Sequence, residues 1–295
     1  MSPRPFGRVL TAMVTPMSEH GEVDLDAVAR LAVHLVDQGN DGLVVNGTTG
    51  ESSTTSDDEK SDILGAVMDA VGDRAHVIAG VGTNDTTHTL HLARAAAERG
   101  VHGLLVVTPY YNKPPQSGLV AHFRAVADAT DLPVMLYDIP GRSAVPITTD
   151  SLVELGRHPR IVAVKDAKAD FWATTQVQTR SDLVYYSGND GDTLHHLALG
   201  GAGVVGVTTH VATPEFVAMI EAFEGGDVAE ARRRHRGLVP AIDAVMNITQ
   251  GAMAAKAALV ELGVLSSAAV RLPLVPLTDA ERARLRAGLK ESGLL

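Results

Sequence analysis

Lys165 is the residue in this sequence whose surroundings most strongly indicate chemistry. It follows four apolar residues in the segment IVAVKDA, which begins at Ile161, so its amine lies deep within an apolar run. Burial disfavours an ammonium ion and lowers its pKa, and the neutral amine that results can attack a carbonyl group to form a Schiff base. An ion pair with a carboxylate such as Asp166 or Asp190 explains the position equally well, and both alternatives stay open.

A second candidate is the segment NGTTGES, residues 46–52, which follows another apolar run. Its glycines allow close approach of the backbone, and its N–H groups could form a nest that binds a carboxylate. Thr48 and Thr49 add hydroxyl groups for hydrogen bonding or for a proton relay. The alternative is an ordinary turn that joins a strand to a helix and caps that helix.

Two more segments place polar groups after apolar runs. In YDIPGR, the phenol of Tyr137 is suited to general acid–base catalysis and the guanidinium of Arg142 to bidentate recognition of a carboxylate. The alternative is a tyrosine at a barrel rim and a solvated arginine. In TPYYN, Tyr110 and Tyr111 place two aromatic rings directly after a further apolar run. The alternative to a role in the site is packing or a subunit contact.

The elements that position these residues are eight short apolar runs rich in β-branched residues, interspersed with segments of helical character. Continuous apolar runs are typical of parallel strands that are covered on both faces. Eight such units predict an α/β fold, a closed (β/α)₈ TIM barrel, whose active site lies at the carboxyl ends of the strands. The runs begin at Val9, Gly42, His76, Gly103, Pro133, Ile161, Leu183 and Gly203.

Helix signals fill the intervals and the C-terminal region. We expect barrel strands and helices in residues 1–212, and the last barrel helix with a C-terminal helical extension in residues 213–295, as one domain unit. Helical patterns cover residues 214–225, 227–244 and 249–262, and no strand run reappears. The signals are capping boxes at Ser56 to Glu59 and Thr278 to Glu281, a Thr213-Pro214 helix start, and C′ glycines at Gly39, Gly72, Gly100 and Gly200.

Composition excludes several classes of function. The net charge of −10 argues against a nucleic-acid partner, and we interpret the run from Arg232 to Arg236 as a solvated helix face. The sequence contains no cysteine, secretory h-region or membrane span, which predicts a cytoplasmic protein. His88 and His91 lack a third metal ligand, and the glycines of residues 201–206 lead into a strand rather than follow one, so neither a metal nor a dinucleotide is expected.

Five motifs in order resemble the dihydrodipicolinate synthase family, a group of class I pyruvate aldolases and lyases. The resemblance spans nearly the whole chain, and it rests on the order of the motifs rather than on any single one. It implies condensation of pyruvate with L-aspartate 4-semialdehyde, at the entry to diaminopimelate and lysine biosynthesis, without a metal or organic cofactor. It also implies a homotetramer built from tight dimers. The motifs are GTTGES at Gly47, TPYYN at Thr108, YDIPGR at Tyr137, VKDA at Val164 and YYSGND at Tyr185.

The resemblance also implies a role for each matching residue. Lys165 would form the Schiff base and Tyr137 would act as acid and base, with Thr48 and a Tyr111 supplied by the neighbouring subunit completing a proton relay. The implied substrate contacts are Thr49 to the carboxylate of pyruvate, Arg142 to the carboxylate of the semialdehyde, and backbone groups of Val205 and Gly188 near the bound pyruvate.

Two departures from the family pattern stand out. Asp138 replaces the asparagine that follows the motif tyrosine in many relatives, and the sequence offers no account of its effect. Positions that carry a histidine pair and a glutamate in lysine-inhibited relatives are Asp57, Lys60 and His88 here, although Asn84 and Tyr110 remain. We therefore predict weak or absent inhibition by lysine.

Two other functions stay open. N-acetylneuraminate lyase and the 2-keto-3-deoxy sugar acid aldolases share the barrel and the lysine but use other aldehydes. Arg142 with the tyrosine pair favours the synthase. A non-catalytic protein that senses a keto acid is the alternative from another class, and the joint presence of Lys165, Tyr137 and Thr48 argues against it.

Overall fold

The computed structural model of this protein describes residues 4–295. Eight parallel strands form a barrel in chain order, which closes through pairing of the first strand with the eighth. The predicted TIM barrel is therefore confirmed. The strands are β1 (Val9–Ala12), β2 (Gly42–Val45), β3 (His76–Gly80), β4 (Gly103–Val107), β5 (Val134–Asp138), β6 (Ile161–Asp166), β7 (Val184–Ser187) and β8 (Gly203–Gly206).

Helices connect the strands and form an outer layer. None of those in residues 4–295 is long and apolar enough to span a lipid bilayer. They are α1 (Leu25–Asp37), α2 (Asp57–Val71), α3 (Thr86–Glu98), α4 (Gln116–Asp128), α5 (Pro140–Ser143), α6 (Thr149–Leu155), α7 (Phe171–Gln178), α8 (Thr193–Ala198), α9 (Thr209–Glu224), α10 (Val228–Gly237), α11 (Val239–Met246), α12 (Gly251–Glu261) and α13 (Asp279–Glu291), with a 3₁₀ turn at Asp190–Asp192.

The strands are buried on both faces, as their continuous apolar runs predict. Alternate residues such as Leu10, Ile78 and Met135 pack together inside the barrel. Their neighbours, such as Leu43 and Val134, pack outward against the helices. Because side chains alternate along a strand, this parity decides which residues at the strand ends face the barrel mouth.

Most predicted helix signals occur where expected. Both capping boxes are present, at the starts of α2 and α13. Gly39, Gly100 and Gly200 follow helices with positive φ angles, which glycine adopts without strain. Gly72 directly follows the last residue of α2, but its φ is −62°. The left-handed stop predicted at Gly72 is therefore wrong.

The C-terminal region differs from the prediction at one helix boundary. In α9, Ala212 (φ −130°, ψ 24°) is non-helical and separates a short first turn from a longer helix, which begins at the predicted Thr213-Pro214 start. The single helix predicted for residues 227–244 is two helices, α10 and α11, and a proline in the first turn of α11 suits a new helix start. Within residues 4–295 no strand follows β8.

Candidate active site

Tyr137 and Lys165 lie side by side at the carboxyl ends of β5 and β6. They are direct neighbours in the pairing of the two strands. Each follows by two positions a residue of the barrel interior, Met135 or Ala163, so both side chains project into the barrel mouth. The Nζ atom of Lys165 is 4.3 Å from the centroid of the Tyr137 ring. The amine and the phenol therefore share one chamber.

Burial controls the charge of Lys165. The side chain is 4% exposed. Burial lowers the pKa of its amine from 10.5 to about 8, while the negative charge of Asp190 opposes this shift and the positive charge of Arg142 adds to it. A substantial fraction of the amine is therefore neutral near pH 8 and able to act as a nucleophile.

The two carboxylates considered as ion-pair partners of Lys165 bind elsewhere. Asp166 lies on the outer face of β6 and accepts a hydrogen bond from the backbone N–H of Lys168 at 2.9 Å. Asp190 accepts hydrogen bonds from the backbone N–H groups of residues 207 and 208, each at 3.0 Å. Across residues 4–295 no carboxylate pairs with the Lys165 amine, so the nucleophile alternative fits this geometry and the ion-pair alternative does not.

Tyr137 is a protonated phenol at neutral pH. Burial raises the pKa of its hydroxyl to about 12, with Arg142 acting in the opposite direction. The hydroxyl can therefore donate a proton to an oxygen atom that develops negative charge. In the described part of a single chain, no hydrogen bond joins it to Thr48 or Tyr111. The relay predicted for these three residues is not connected within one chain.

A cavity of about 470 Å³ lies at the barrel mouth, next to the Lys165 side chain. It brings together most of the predicted site residues. Val205 and Tyr111 are the exceptions. Val205 is fully buried inside β8, where the cavity reaches Val207 instead, and Tyr111 borders a second cavity. The predicted residues that line the cavity are Thr48, Thr49, Tyr137, Arg142, Lys165 and Gly188.

The loop after β2 is both a tight turn and a potential anion site. The backbone N–H groups of Gly50 and Ser52 donate to the carbonyl of Gly47 and close the turn. The N–H groups of Thr48 and Thr49 donate to no acceptor within the described residues. They are free to bind a carboxylate at the edge of the cavity, as the nest hypothesis requires.

Arg142 is a guanidinium at this chamber that is free to receive a carboxylate. It lies in the single turn of α5, is exposed, and lines the first cavity and a second one of about 410 Å³. No acidic side chain of residues 4–295 forms an ion pair with it. Thr48 and Tyr137 border both cavities as well, so the two spaces adjoin.

Tyr111 borders the second cavity but points away from its own chain. Its side chain is 88% exposed, the largest exposed fraction among the large hydrophobic residues described. Its φ angle is 74°, a left-handed conformation that is strained for a bulky side chain. Strain of this kind often accompanies a functional contact.

Sequence reasoning missed one side of the chamber. Met246, Gln250, Gly251 and Ala252, at the end of α11 and the start of α12, line the first cavity opposite the strands. The side-chain oxygen of Gln250 accepts a hydrogen bond from the backbone N–H of Ala252 at 2.6 Å, which caps α12. A helix pattern in the C-terminal extension carried no signal that its first turn borders the site.

A buried ion pair joins that side of the chamber to the loop after β2. Lys256 of α12 and Glu51 are fully buried, and their charged atoms are 2.5 Å apart. Lys256 also donates to the carbonyl of Ala269 at 2.6 Å, and Glu51 accepts from the backbone N–H of Arg271 at 2.9 Å. Further polar partners of this kind make a buried pair tolerable.

The motifs set aside in the sequence have structural roles here. Residues 203–206 form β8, so the glycines of residues 201–206 do not form a turn before a helix. His88 binds the carboxylate of Asp57 at 2.9 Å. No group of three or more potential metal ligands occurs in residues 4–295. In the basic run, Arg233 pairs with Glu230 at 2.6 Å on the surface of α10.

Comparison with known proteins extends over the whole chain. The model of the dihydrodipicolinate synthetase family matches residues 5–292. The chain is 62% identical over 291 residues to a 4-hydroxy-tetrahydrodipicolinate synthase of Kineococcus radiotolerans, covering 99% of this chain and 94% of that protein.

Solved structures agree with this assignment. The crystal structure of a dihydrodipicolinate synthase from Cyanidioschyzon merolae with lysine bound superposes with a TM-score of 0.96 at 41% identity, covering 99% of this chain and 100% of the other. A monomeric dihydrodipicolinate synthase variant superposes with a TM-score of 0.94 at 36% identity, covering 99% and 98% of the two chains. On sequence and on structure, the chain belongs to the dihydrodipicolinate synthetase family.

Proposed function

We propose that this chain is a lyase that condenses pyruvate with L-aspartate 4-semialdehyde to give 4-hydroxy-tetrahydrodipicolinate, at the entry to lysine and diaminopimelate biosynthesis. The observation that carries the proposal is the Lys165 amine, which lies beside Tyr137, is buried, has a lowered pKa and has no counter-ion within residues 4–295. Its relatives at 50–62% identity bear the name of this activity.

The first half of the reaction activates pyruvate. The neutral Lys165 amine attacks the ketone carbon, and Tyr137 supplies a proton as water leaves, giving an imine. The imine withdraws electrons from the adjacent methyl group, so a methyl proton passes to the Tyr137 phenolate, which yields an enamine and restores the phenol. The N–H groups of Thr48 and Thr49 would hold the pyruvate carboxylate through these steps, because donors aimed at an anion stabilise it in a desolvated site.

The second half forms the new carbon–carbon bond. The enamine carbon attacks the aldehyde carbon, and the aldehyde oxygen takes a proton from Tyr137. The amino group of the semialdehyde then displaces the nitrogen of Lys165 from the imine carbon, which closes a six-membered ring and frees the enzyme. One water leaves overall. Arg142 would bind the carboxylate of the semialdehyde as a bidentate partner.

We also propose that the active enzyme is a homotetramer made of two dimers and acts in the cytoplasm. The exposed, strained Tyr111 supports the dimer, because it borders the second cavity without reaching Tyr137 of its own chain. A Tyr111 supplied across a two-fold interface would complete the relay with Thr48 and Tyr137 in each copy.

The test is to trap the imine. Incubation with pyruvate followed by borohydride should add one reduced pyruvate to the chain, and peptide mapping should locate it on Lys165. Lys165→Ala should give no adduct and no turnover. Lys290→Ala, which removes an exposed lysine of α13, is the matched control and should behave like the wild type. An unmodified Lys165 in the wild type contradicts the mechanism.

The aldehyde is identified separately. Aspartate semialdehyde should support turnover in a coupled assay, whereas cleavage of N-acetylneuraminate or of 2-keto-3-deoxygluconate should be slower by orders of magnitude. Preference for a sugar acid would keep the imine chemistry and change the substrate. An adduct with pyruvate but no turnover of any aldehyde would favour a keto-acid sensor.

A further inference from the structure

Asp138 is a buried carboxylate directly after Tyr137, on the outer face of β5. It is 1% exposed, and its Oδ1 atom accepts a hydrogen bond from the backbone N–H of Ile147 at 3.1 Å. Its Oδ2 atom is 3.2 Å from the Nζ atom of Lys168. Burial raises the pKa of this carboxyl to about 6, although the positive charge of Lys168 acts in the opposite direction.

Lys168 is the partner that this carboxylate requires. It lies in the loop after β6, three residues beyond Lys165, and its side chain is 16% exposed. Apart from the ion pair with Lys168, Oδ2 of Asp138 has no hydrogen-bond donor in the described residues. Lys168 also donates to the carbonyl of Ile147 at 3.2 Å. The pair therefore binds both the N–H and the carbonyl group of Ile147.

These contacts enclose the segment that carries Arg142. The segment leaves β5 at Asp138, passes through α5, and returns at Ile147, where both members of the pair bind the backbone. Arg142 is exposed and forms no ion pair within the described residues, so the backbone of this segment sets its position. Small displacements of a positioning group lower catalytic efficiency strongly.

We propose that Asp138 and Lys168 form a positioning pair that holds Arg142 where it binds the carboxylate of the aldehyde substrate. The proposal rests on the proposed function, in which Arg142 receives that carboxylate. Neither Asp138 nor Lys168 lines either cavity, so the pair acts through the segment and not by touching substrate.

The test uses Lys168→Met, Asp138→Ala and the double variant in steady-state assays with both substrates. Each single variant should raise the KM for aspartate semialdehyde about tenfold, while the KM for pyruvate and the yield of borohydride-trapped adduct change less than about twofold. Because the two groups act as a unit, the double variant should also raise the KM for aspartate semialdehyde about tenfold rather than about a hundredfold. Lys168→Arg keeps the charge and should restore the KM to within about threefold.

A second double-mutant cycle, which combines Lys168→Met with Arg142→Ala, tests whether Lys168 affects the KM for the aldehyde through Arg142. In an Arg142→Ala background, Lys168→Met should raise the KM for the aldehyde no further. Arg180→Met removes an exposed ion pair with Asp150 (3.1 Å) on the outer helices and should leave both KM values unchanged. An additive effect in the Arg142→Ala background would overturn the proposal.

The remaining outcomes separate this inference from the proposed function. An unchanged KM for the aldehyde in Lys168→Met overturns the positioning pair. So does a general impairment, in which kcat and the melting temperature fall and both KM values rise together. In either case the trapped adduct and the raised aldehyde KM of Arg142→Ala still support the function. A wild type that forms no adduct, or an Arg142→Ala variant with an unchanged aldehyde KM, overturns the function and the positioning pair together.

Discussion

The lowered pKa of Lys165 predicts how imine formation depends on pH. Raising the pH from about 6 to about 10 should increase the rate at which pyruvate forms the imine, with the midpoint near pH 8. At pH 7 an amine with a pKa of about 8 is neutral in about one molecule in eleven, whereas a pKa of 10.5 leaves about one in three thousand. Burial therefore increases the reactive population about 300-fold.

The assay mixes enzyme with subsaturating pyruvate, quenches with borohydride at intervals and quantifies the modified Lys165 peptide by mass spectrometry. The initial rate against pH should follow one ionisation. A midpoint near pH 10 would mean that the amine is held as a cation, and would refute the argument from burial.

Asp190→Asn extends the same test. The negative charge of Asp190 raises the pKa of Lys165, so its removal should move the midpoint to lower pH. The amide oxygen of asparagine can still accept the hydrogen bonds from the backbone of residues 207 and 208. Asp150→Asn, on the exposed surface of α6, is the control and should leave the midpoint unchanged. An upward or absent shift in Asp190→Asn contradicts the electrostatic account.

Three further predictions follow from buried or already paired charges. Lys165→Met should stabilise the fold by about 3 kcal/mol at pH 7, because folding of the wild type buries a protonated amine whose pKa falls from 10.5 to about 8. Urea unfolding should show this gain disappearing as the pH rises from about 8 to about 10.5, where the amine is neutral in both the folded and the unfolded chain. Lys256→Met should destabilise the fold by about 3 to 5 kcal/mol in urea, because it leaves the buried carboxylate of Glu51 unpaired, and a loss below about 1 kcal/mol would contradict this. L-Lysine should reach half-maximal inhibition only above roughly millimolar concentration in a steady-state assay, because His88 already engages Asp57; inhibition at lower concentration contradicts this.

The barrel is predictable because every strand is covered on both faces. Apolar and polar residues do not alternate in the run starting at Gly42, and the lack of alternation distinguishes a parallel strand covered on both faces from an antiparallel strand with one face exposed. Strand ends are less predictable. The run at Val9 continues past the end of β1 at Ala12, because Met13 and Val14 are also buried. The hydrophobic pattern follows the extent of burial, whereas the bounds of a strand follow its hydrogen bonds to neighbouring strands.

The site is predictable where one strand end determines it and unpredictable where distant segments meet. Tyr137 follows from strand parity, whereas the orientation of Lys165 also depends on a bulge in β6. Glu51 and Lys256 are 205 residues apart in the chain, and no local pattern records their contact. That residues 1–212 and 213–295 behave as one unit stays a prediction, which this ion pair supports.

The placement of Lys165 depends on an irregularity that the sequence does not signal. Val134 pairs with Ile161, but Met135 pairs with Ala163, so β6 contains one extra residue, Val162, opposite β5. A bulge of this kind shifts the phase of every later side chain by one position.

Without the extra residue, Tyr137 would pair with Val164, and Lys165 would lie on the outer face of the sheet beside Asp138. With it, the amine enters the chamber, and the carboxylates of Asp138 and Asp166 stay on the other face, where Lys168 supplies the compensating charge. The bulge at Val162 thus keeps the amine away from counter-ions that lie one residue along each strand, and that separation allows burial to be the largest influence on its pKa.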